Sequence, residues 1–235
     1  MKTRGLYLIV TAFLSITARG DLTIVQNVEG SGSVKQITTK LKGDKARVEV
    51  SPEVTAIIDN KSGEMLSLMN AKKKFLRISA DKSKAIAEMA SKYAGDSPAA
   101  AERSKLAPTG KKEMINGYEA EEYVRESPSV KESYWIALKY PDSAAIVKQL
   151  QAIAPAAAWN DIAKGMLDFR DFPGLPLRTI IKTDRREIIS TITSIKQDAL
   201  SEAEFSVPKD FQELKVPNLQ EMLSEKPSAI PSTKP

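Results

Sequence analysis

Ser79-Ala80-Asp81-Lys82 has the Ser-x-x-Lys spacing in which a lysine amine can take the proton of a serine nucleophile, but neither an S-D-N nor a K-T-G companion occurs. Acid–base hydrolysis would call on carboxylates, and the sequence offers the neighbours Glu121 and Glu122 and the pair Asp168 and Asp171. Adjacent residues of a strand point to opposite faces. The two aspartates border Phe169 and Phe172, in a stretch where solvation or capping is their ordinary use. The chain has no histidine and no cysteine, which excludes a Ser-His-Asp triad, a Cys-His dyad and the usual zinc sets. Gly110-Lys111 lacks the earlier glycine and the following Ser/Thr of a phosphate loop, and Gly30-Ser31-Gly32 lacks the third glycine of a dinucleotide fingerprint. No catalytic residue, metal set or cofactor is therefore assigned, and the expectation is a protein that is not an enzyme.

What the sequence offers instead is adaptable apolar side chains. Leu66, Leu68, Ile86, Met89, Tyr93, Trp135, Trp159 and Met166 are the candidate lining of an apolar ligand site, since Met, Trp and Tyr suit a pocket that moulds to its occupant. Stripes of this kind are also ordinary core, and the sequence leaves both readings open.

The elements that must position these residues begin with six short alternating runs between Leu22 and Ile78, which read as an antiparallel meander. Gly30-Ser31-Gly32-Ser33, Lys42-Gly43-Asp44-Lys45, Ser51-Pro52 and Asn60-Lys61-Ser62-Gly63 punctuate them. Alternation places one face inward, so the sheet needs a cover. A helix over 81–94, with Ile86, Met89, Ala90 and Tyr93 on one face and Gly95 at its end, is the first candidate. Asn116-Gly117 then predicts a type I′ hairpin. Tyr134, Ile136, Leu138 and Tyr140 predict a strand with Trp135 on its other face. Pro141-Asp142 opens a helix striped by Ile146, Leu150 and Ile153, and a further stripe runs through Trp159, Ile162, Ala163 and Met166. A long hairpin over 177–195, turning near Thr183–Arg186, and an apolar clasp of Phe205, Val207, Pro208 and Phe211 complete the fold. The expected class is α+β: a curved antiparallel sheet, or half-barrel, of ten or so strands with about three helices on its concave face.

At the start, Lys2 and Arg4 precede an apolar run through Leu6–Val10, Phe13, Leu14 and Ile16, and Ala18-Arg19-Gly20 places small residues where a signal peptidase reads them. Residues 1–20 are expected to be a signal peptide cleaved after Gly20, giving a periplasmic or secreted protein. The run is shorter than the roughly 20 residues of an ordinary membrane span, so none is expected after cleavage. The full chain carries +5, but Lys2, Arg4 and Arg19 leave with the leader, and the mature chain is near +2. That balance offers no nucleic-acid footprint. Without cysteine, neither disulfides nor a lipidated cysteine anchor are possible. One domain over 21–216 is expected, followed by a Pro-rich tail over 217–235 with Pro217, Pro227, Pro231 and Pro235, of disordered composition.

Four stretches carry a family resemblance: Ile115-Asn116-Gly117-Tyr118-Glu119-Ala120-Glu121-Glu122-Tyr123, Tyr134-Trp135-Ile136-Ala137, Pro173-Gly174-Leu175-Pro176-Leu177 and Phe205-Ser206-Val207-Pro208. In these the chain resembles an uncharacterised family of exported bacterial proteins, itself similar in layout to the LolA/LolB lipoprotein-localisation factors. The resemblance implies a half-barrel with a cavity between sheet and helices that takes an acyl chain. Three functional expectations follow. The first is an exported carrier or envelope sensor holding a lipid, acyl chain or other apolar ligand. The second is a non-enzymatic envelope module with a filled core that binds a protein partner. The third is a carboxylate hydrolase, which needs two acids converging about 5 to 10 Å apart.

Overall fold

The computed structural model describes residues 20–32, 34–82, 106–127, 130–153 and 172–214. The six alternating runs form β1 (Leu22–Glu29), β2 (Gln36–Lys42), β3 (Lys45–Ser51), β4 (Val54–Asp59), β5 (Glu64–Met69) and β6 (Lys74–Ile78). After them come β7 (Ala107–Ile115), β8 (Tyr118–Ser127), β9 (Val130–Ala137), the helix α1 (Ser143–Ile153), β10 (Leu175–Thr183), β11 (Glu187–Lys196) and the short β12 (Gln212–Leu214). All twelve strands join one sheet in the order β12-β6-β5-β4-β3-β2-β1-β11-β10-β9-β8-β7. Every pairing is antiparallel except that of β12 with β6.

Local chemistry accounts for the turns. Asn116 and Gly117 both have positive φ, as the type I′ turn between β7 and β8 requires. At Gly174, a Cβ would stand 2.6 Å from the Ala137 carbonyl oxygen, so only glycine lets β10 enter beside the end of β9.

The sheet curls strongly. Flat, the β7–β8 turn would lie at least three strand spacings of about 4.8 Å from β11. Yet the short Asn116 side-chain amide donates directly to the backbone carbonyl of Ile192 in β11. Register shifts at Val25/Gln26 against β11 and at Pro176/Arg178 against β9 supply the bends. Curling lets the sheet enclose its own core, where Leu22, Ile24, Leu41, Ala46, Ile115, Ala120, Leu175, Leu177 and Ile192 form one buried cluster with Ile146, Val147 and Leu150 of α1.

The α+β expectation is corrected here. Among the described residues the fold is a twelve-stranded sheet with two helical segments, α1 and the opening at Ala80–Lys82, rather than a sheet covered by about three helices. Of the three predicted helices, the second is α1, the first is seen as its opening at Ala80–Lys82, and the third, around Trp159, lies outside the described residues. The physical reason lies partly in the curl and partly in a cover that is not helical. On the outer, convex side, the segment after β11 runs back across the sheet as a strap. It carries a single 3-10 turn (Glu202–Phe205), capped by Ser201 and Glu204 in a capping box, and ends as β12. Val207 and Phe211 of this strap pack on a second buried cluster of Ile57, Leu66, Leu68 and Phe75. The predicted strand through Tyr140 also ends earlier, at Ala137, and Leu138 is 46% exposed. The expected signal peptide, except Gly20, and the expected tail over 217–235 lie outside the described residues.

Candidate functional site

On β2 to β6, the cross-strand register sorts side chains into two faces. Thr55, Ile57, Leu66, Leu68 and Phe75 share the outer face, where Thr55 pairs with Leu68, Ile57 with Leu66, and Leu68 with Phe75. That face is closed: Leu68 is 0% exposed and Thr55 1%, the latter accepting a hydrogen bond of 3.1 Å from Asn70. The inner face contains Ile24, Thr39, Val48, Ala56, Ser67 and Leu76 in one cross-strand row and Leu41, Ala46, Ile58, Met65 and Ile78 in the next.

Burial on this inner face is graded. Toward the β2–β3 and β4–β5 turns, Leu41, Ala46 and Met65 are buried. Toward the opposite end, Ile37, Val48, Val50, Ala56, Met69 and Leu76 all remain partly exposed, and Val54 is 38% exposed. A β-rich run of apolar side chains thus forms the floor of the curl, and the described residues cover it only in part. Among the described residues this patch is partly covered, with Val54 its most exposed side chain, and a part-exposed apolar patch is a candidate contact surface. Its chemistry is that of contact and exclusion of water, with Ser67 and Thr39 as its polar interruptions.

Trp135 adds a polar handle. It packs against the central cluster alongside Ile58 and Ile195, and its indole nitrogen is buried without a hydrogen-bond partner among the described residues. A buried donor left unmet costs about 1–3 kcal/mol.

On another part of the sheet, Tyr134 is 1% exposed and its hydroxyl donates to Glu132 at 2.8 Å while accepting from Arg125 at 3.0 Å. Arg125 also binds Glu132 at 2.5 Å and stacks 5.7 Å from the Tyr134 ring. Burial, reinforced by the Glu132 charge, pushes the Tyr134 hydroxyl well above the usual tyrosine range. Every member of this set is satisfied by the others, so it braces β8 against β9.

The strap is tied down by ion pairs along its length. Asp21 accepts from Lys42 at 2.9 Å and from the Leu200 backbone at 2.7 Å; Glu204 binds Lys40 at 2.5 Å; Asp210 binds Lys73 at 2.9 Å; Glu213 lies 3.4 Å from Arg77. Burial works against the Asp21 charge, but the Leu200 N–H and the Lys42 ammonium outweigh it and hold that carboxyl below its ordinary range. Lys40 does the same for Glu204, and Lys73 for Asp210.

Of the residues singled out in the sequence, Leu66 and Leu68 lie on the outer face under the strap, and Trp135 lies against the central cluster. Ile86, Met89, Tyr93, Trp159 and Met166 lie outside the described residues. Val48, Val50, Ala56 and Leu76 were missed as lining, although their alternation with Arg47, Glu49, Thr55 and Arg77 was visible in the sequence. Ser79 of the Ser-x-x-Lys spacing accepts from the Lys82 backbone N–H at 3.4 Å, the bond of a helix N-cap. Glu122 holds Thr109 at 3.0 Å and Lys111 at 3.3 Å. Asp168 and Asp171 are outside the described residues.

Two grooves open elsewhere among the described residues. One of about 320 Å³ lies between α1 and Phe172–Gly174; the other, of about 400 Å³, lies beside Tyr118, Glu121 and Leu138. Charged side chains (Lys148 in the first; Lys112, Glu119, Glu121 and Lys139 in the second) share their walls, and neither reaches the apolar floor.

Residues 19–211 match the family model described as "Domain of unknown function (DUF4412)". Among curated proteins, no sequence matches the chain. Among solved structures, the chain is similar to PNGF-II in two crystal forms, P21 and C2, at 15% and 16% identity. Both have a TM-score of 0.41 and are matched over 88% of this chain, which spans only 33% of PNGF-II. It is also similar to LprF from Mycobacterium bovis at 10% identity and a TM-score of 0.32, over 82% of this chain and 90% of LprF. Likenesses at these scores carry no argument about function.

Proposed function

The chain belongs to the family described as Domain of unknown function (DUF4412), and from that premise we propose that it is an exported binding protein, not an enzyme, that carries an acyl chain or comparable apolar group on the inner face of β2–β6. One observation carries the reading. The two faces of the same strands are both apolar, yet the strap closes one while the other keeps Val48, Val50, Ala56, Met69 and Leu76 partly exposed. An apolar surface left open at the bottom of a curl gains free energy from covering, at about 25 cal/mol per Å² removed from water. A flexible hydrocarbon chain fits a floor of that shape with few directed polar contacts.

The unmet Trp135 N–H supports a ligand with one acceptor oxygen near the central cluster, such as a carboxylate or ester carbonyl. The LolA/LolB-like layout is part of this proposal, as are export and cleavage after Gly20. Cleavage there leaves the Asp21 carboxylate as the tie between the first strand and the strap.

Native mass spectrometry of the protein purified from the periplasm, followed by organic extraction and lipid analysis, tests the reading. The expected result is a mature chain beginning at Asp21 with an extractable lipid at near-stoichiometric amount. An apo mass, together with no uptake of a fluorescent fatty acid, refutes it.

A further inference from the structure

The hairpins of an antiparallel sheet alternate between its two ends, and in this protein the ends differ in charge. At one end lie the connections β1–β2, β3–β4, β5–β6, β8–β9, where Lys131 and Glu126 pair at 2.6 Å, and β10–β11, together with the strap where it reaches β12. Here Lys35, Lys72, Lys74, Arg185, Arg186 and Lys209 have no ion-pair partner among the described residues. Among the described residues at this end, Glu29, Glu53 and Asp184 are the acids without an ion-pair partner. At the other end, Lys61, Lys82, Lys139 and Lys196 are matched in number by Asp44, Asp81, Asp142 and Asp198.

The basic end is also the end at which the apolar floor opens. Val54, 38% exposed, pairs with Met69 at that margin, two residues from Pro52 in the β3–β4 turn. Lys72 and Lys74 stand on one side of the opening and Arg185 and Arg186 on the other, across the curl. A rim of cations around an apolar mouth is complementary to an interface that is anionic on top and hydrocarbon beneath.

We infer that this end of the sheet docks on a bilayer bearing anionic headgroups, with the Lys35, Lys72–Lys74 and Arg185–Arg186 turns against the headgroup layer and Val54 at the hydrocarbon margin. Lys and Arg near an anionic leaflet each contribute to attraction that falls off within a Debye length. A nucleic acid would match the charge but not the apolar mouth. The inference rests on the carrier reading for its purpose, because docking brings the floor to a source of acyl chains, but its test is separate.

Co-sedimentation of the purified protein with phosphatidylglycerol/phosphatidylcholine vesicles, against phosphatidylcholine alone, is the experiment. Binding is expected only to the anionic vesicles and is expected to weaken with added salt. Arg185→Glu with Arg186→Glu, and separately Lys72→Glu with Lys74→Glu, are each expected to weaken it about tenfold or more. The double change Lys61→Glu with Lys139→Glu, at the opposite end, leaves it unchanged. Equal binding to both vesicle types, equal loss from the opposite-end variant, or retention on DNA but not on vesicles overturns the proposal. Uptake of a fluorescent fatty acid from solution, measured on the same variants, separates the two readings. Uptake without docking removes only the docking, and docking without uptake removes only the carrier.

Discussion

Leu76 and Leu68 are leucines on neighbouring strands whose side chains fall on opposite faces of one sheet, which makes them a matched test of the open floor. Leu68 is 0% exposed beneath the strap, so Leu68→Ala is a core truncation expected to cost about 2–5 kcal/mol. Leu76 is partly exposed on the inner face, so its truncation forfeits only the fraction already removed from water, about 1–2 kcal/mol. On the carrier reading, a ligand on the floor covers the remainder of the Leu76 side chain. Losing that contact costs about 1 kcal/mol of binding, a roughly five-fold weaker affinity. Urea unfolding gives the stability of each variant, and displacement of a fluorescent fatty acid gives its affinity, read at denaturant-free conditions where both variants are folded. Leu76→Ala should move affinity more than stability, and Leu68→Ala should do the reverse. The reasoning fails if Leu76→Ala is as destabilising as Leu68→Ala and leaves affinity untouched, because the inner face is then closed core.

Three further outcomes are expected. Tyr134→Phe removes a buried hydroxyl bonded to two charged groups and should cost about 1.5–3 kcal/mol in urea unfolding. Because the Tyr134 hydroxyl is raised when folded, its contribution is complete below the ordinary tyrosine value near pH 10 and is lost as pH rises beyond it. Tyrosinate absorbance in an alkaline titration should therefore show one tyrosine that ionises only with unfolding, and Tyr134→Phe should abolish that step. The lowered carboxyls of Asp21, Glu204 and Asp210 stabilise the strap above the ordinary carboxylate values near pH 4, and that contribution is lost as pH falls through their depressed folded values. Hydrogen exchange in β12 and the 3-10 turn should rise below about pH 4 before exchange in β9 does; simultaneous loss would show that the strap is not a separate unit. Trp135→Phe deletes the unmet N–H together with the five-membered half of the indole, so it should cost about 1–2 kcal/mol of packing in urea unfolding and bind the fatty-acid probe several-fold more weakly. Unchanged probe affinity would show that the Trp135 N–H serves no ligand.

The sequence by itself determined the strands of the first half and the turns between them. Period-two alternation interrupted by Gly43, Pro52 and Gly63 admits few alternatives, and Asn116-Gly117 specifies its hairpin because both positions need positive φ. It also determined the absence of histidine and cysteine chemistry, which is a matter of inventory. Which face is the floor was not legible. Met65, Leu66 and Leu68 place apolar groups on both sides of β5, so alternation alone cannot say which side is covered. That choice belongs to the strap, whose Val207 and Phe211 meet Leu66 and Leu68 across more than a hundred residues of sequence. Likewise, the pairing of β1 with β11 and of β12 with β6 is set by long-range closure, as is the curl that brings Asn116 to Ile192. Local residue patterns fix which way neighbouring side chains point, whereas only the closed sheet decides which of those directions meets protein and which meets water.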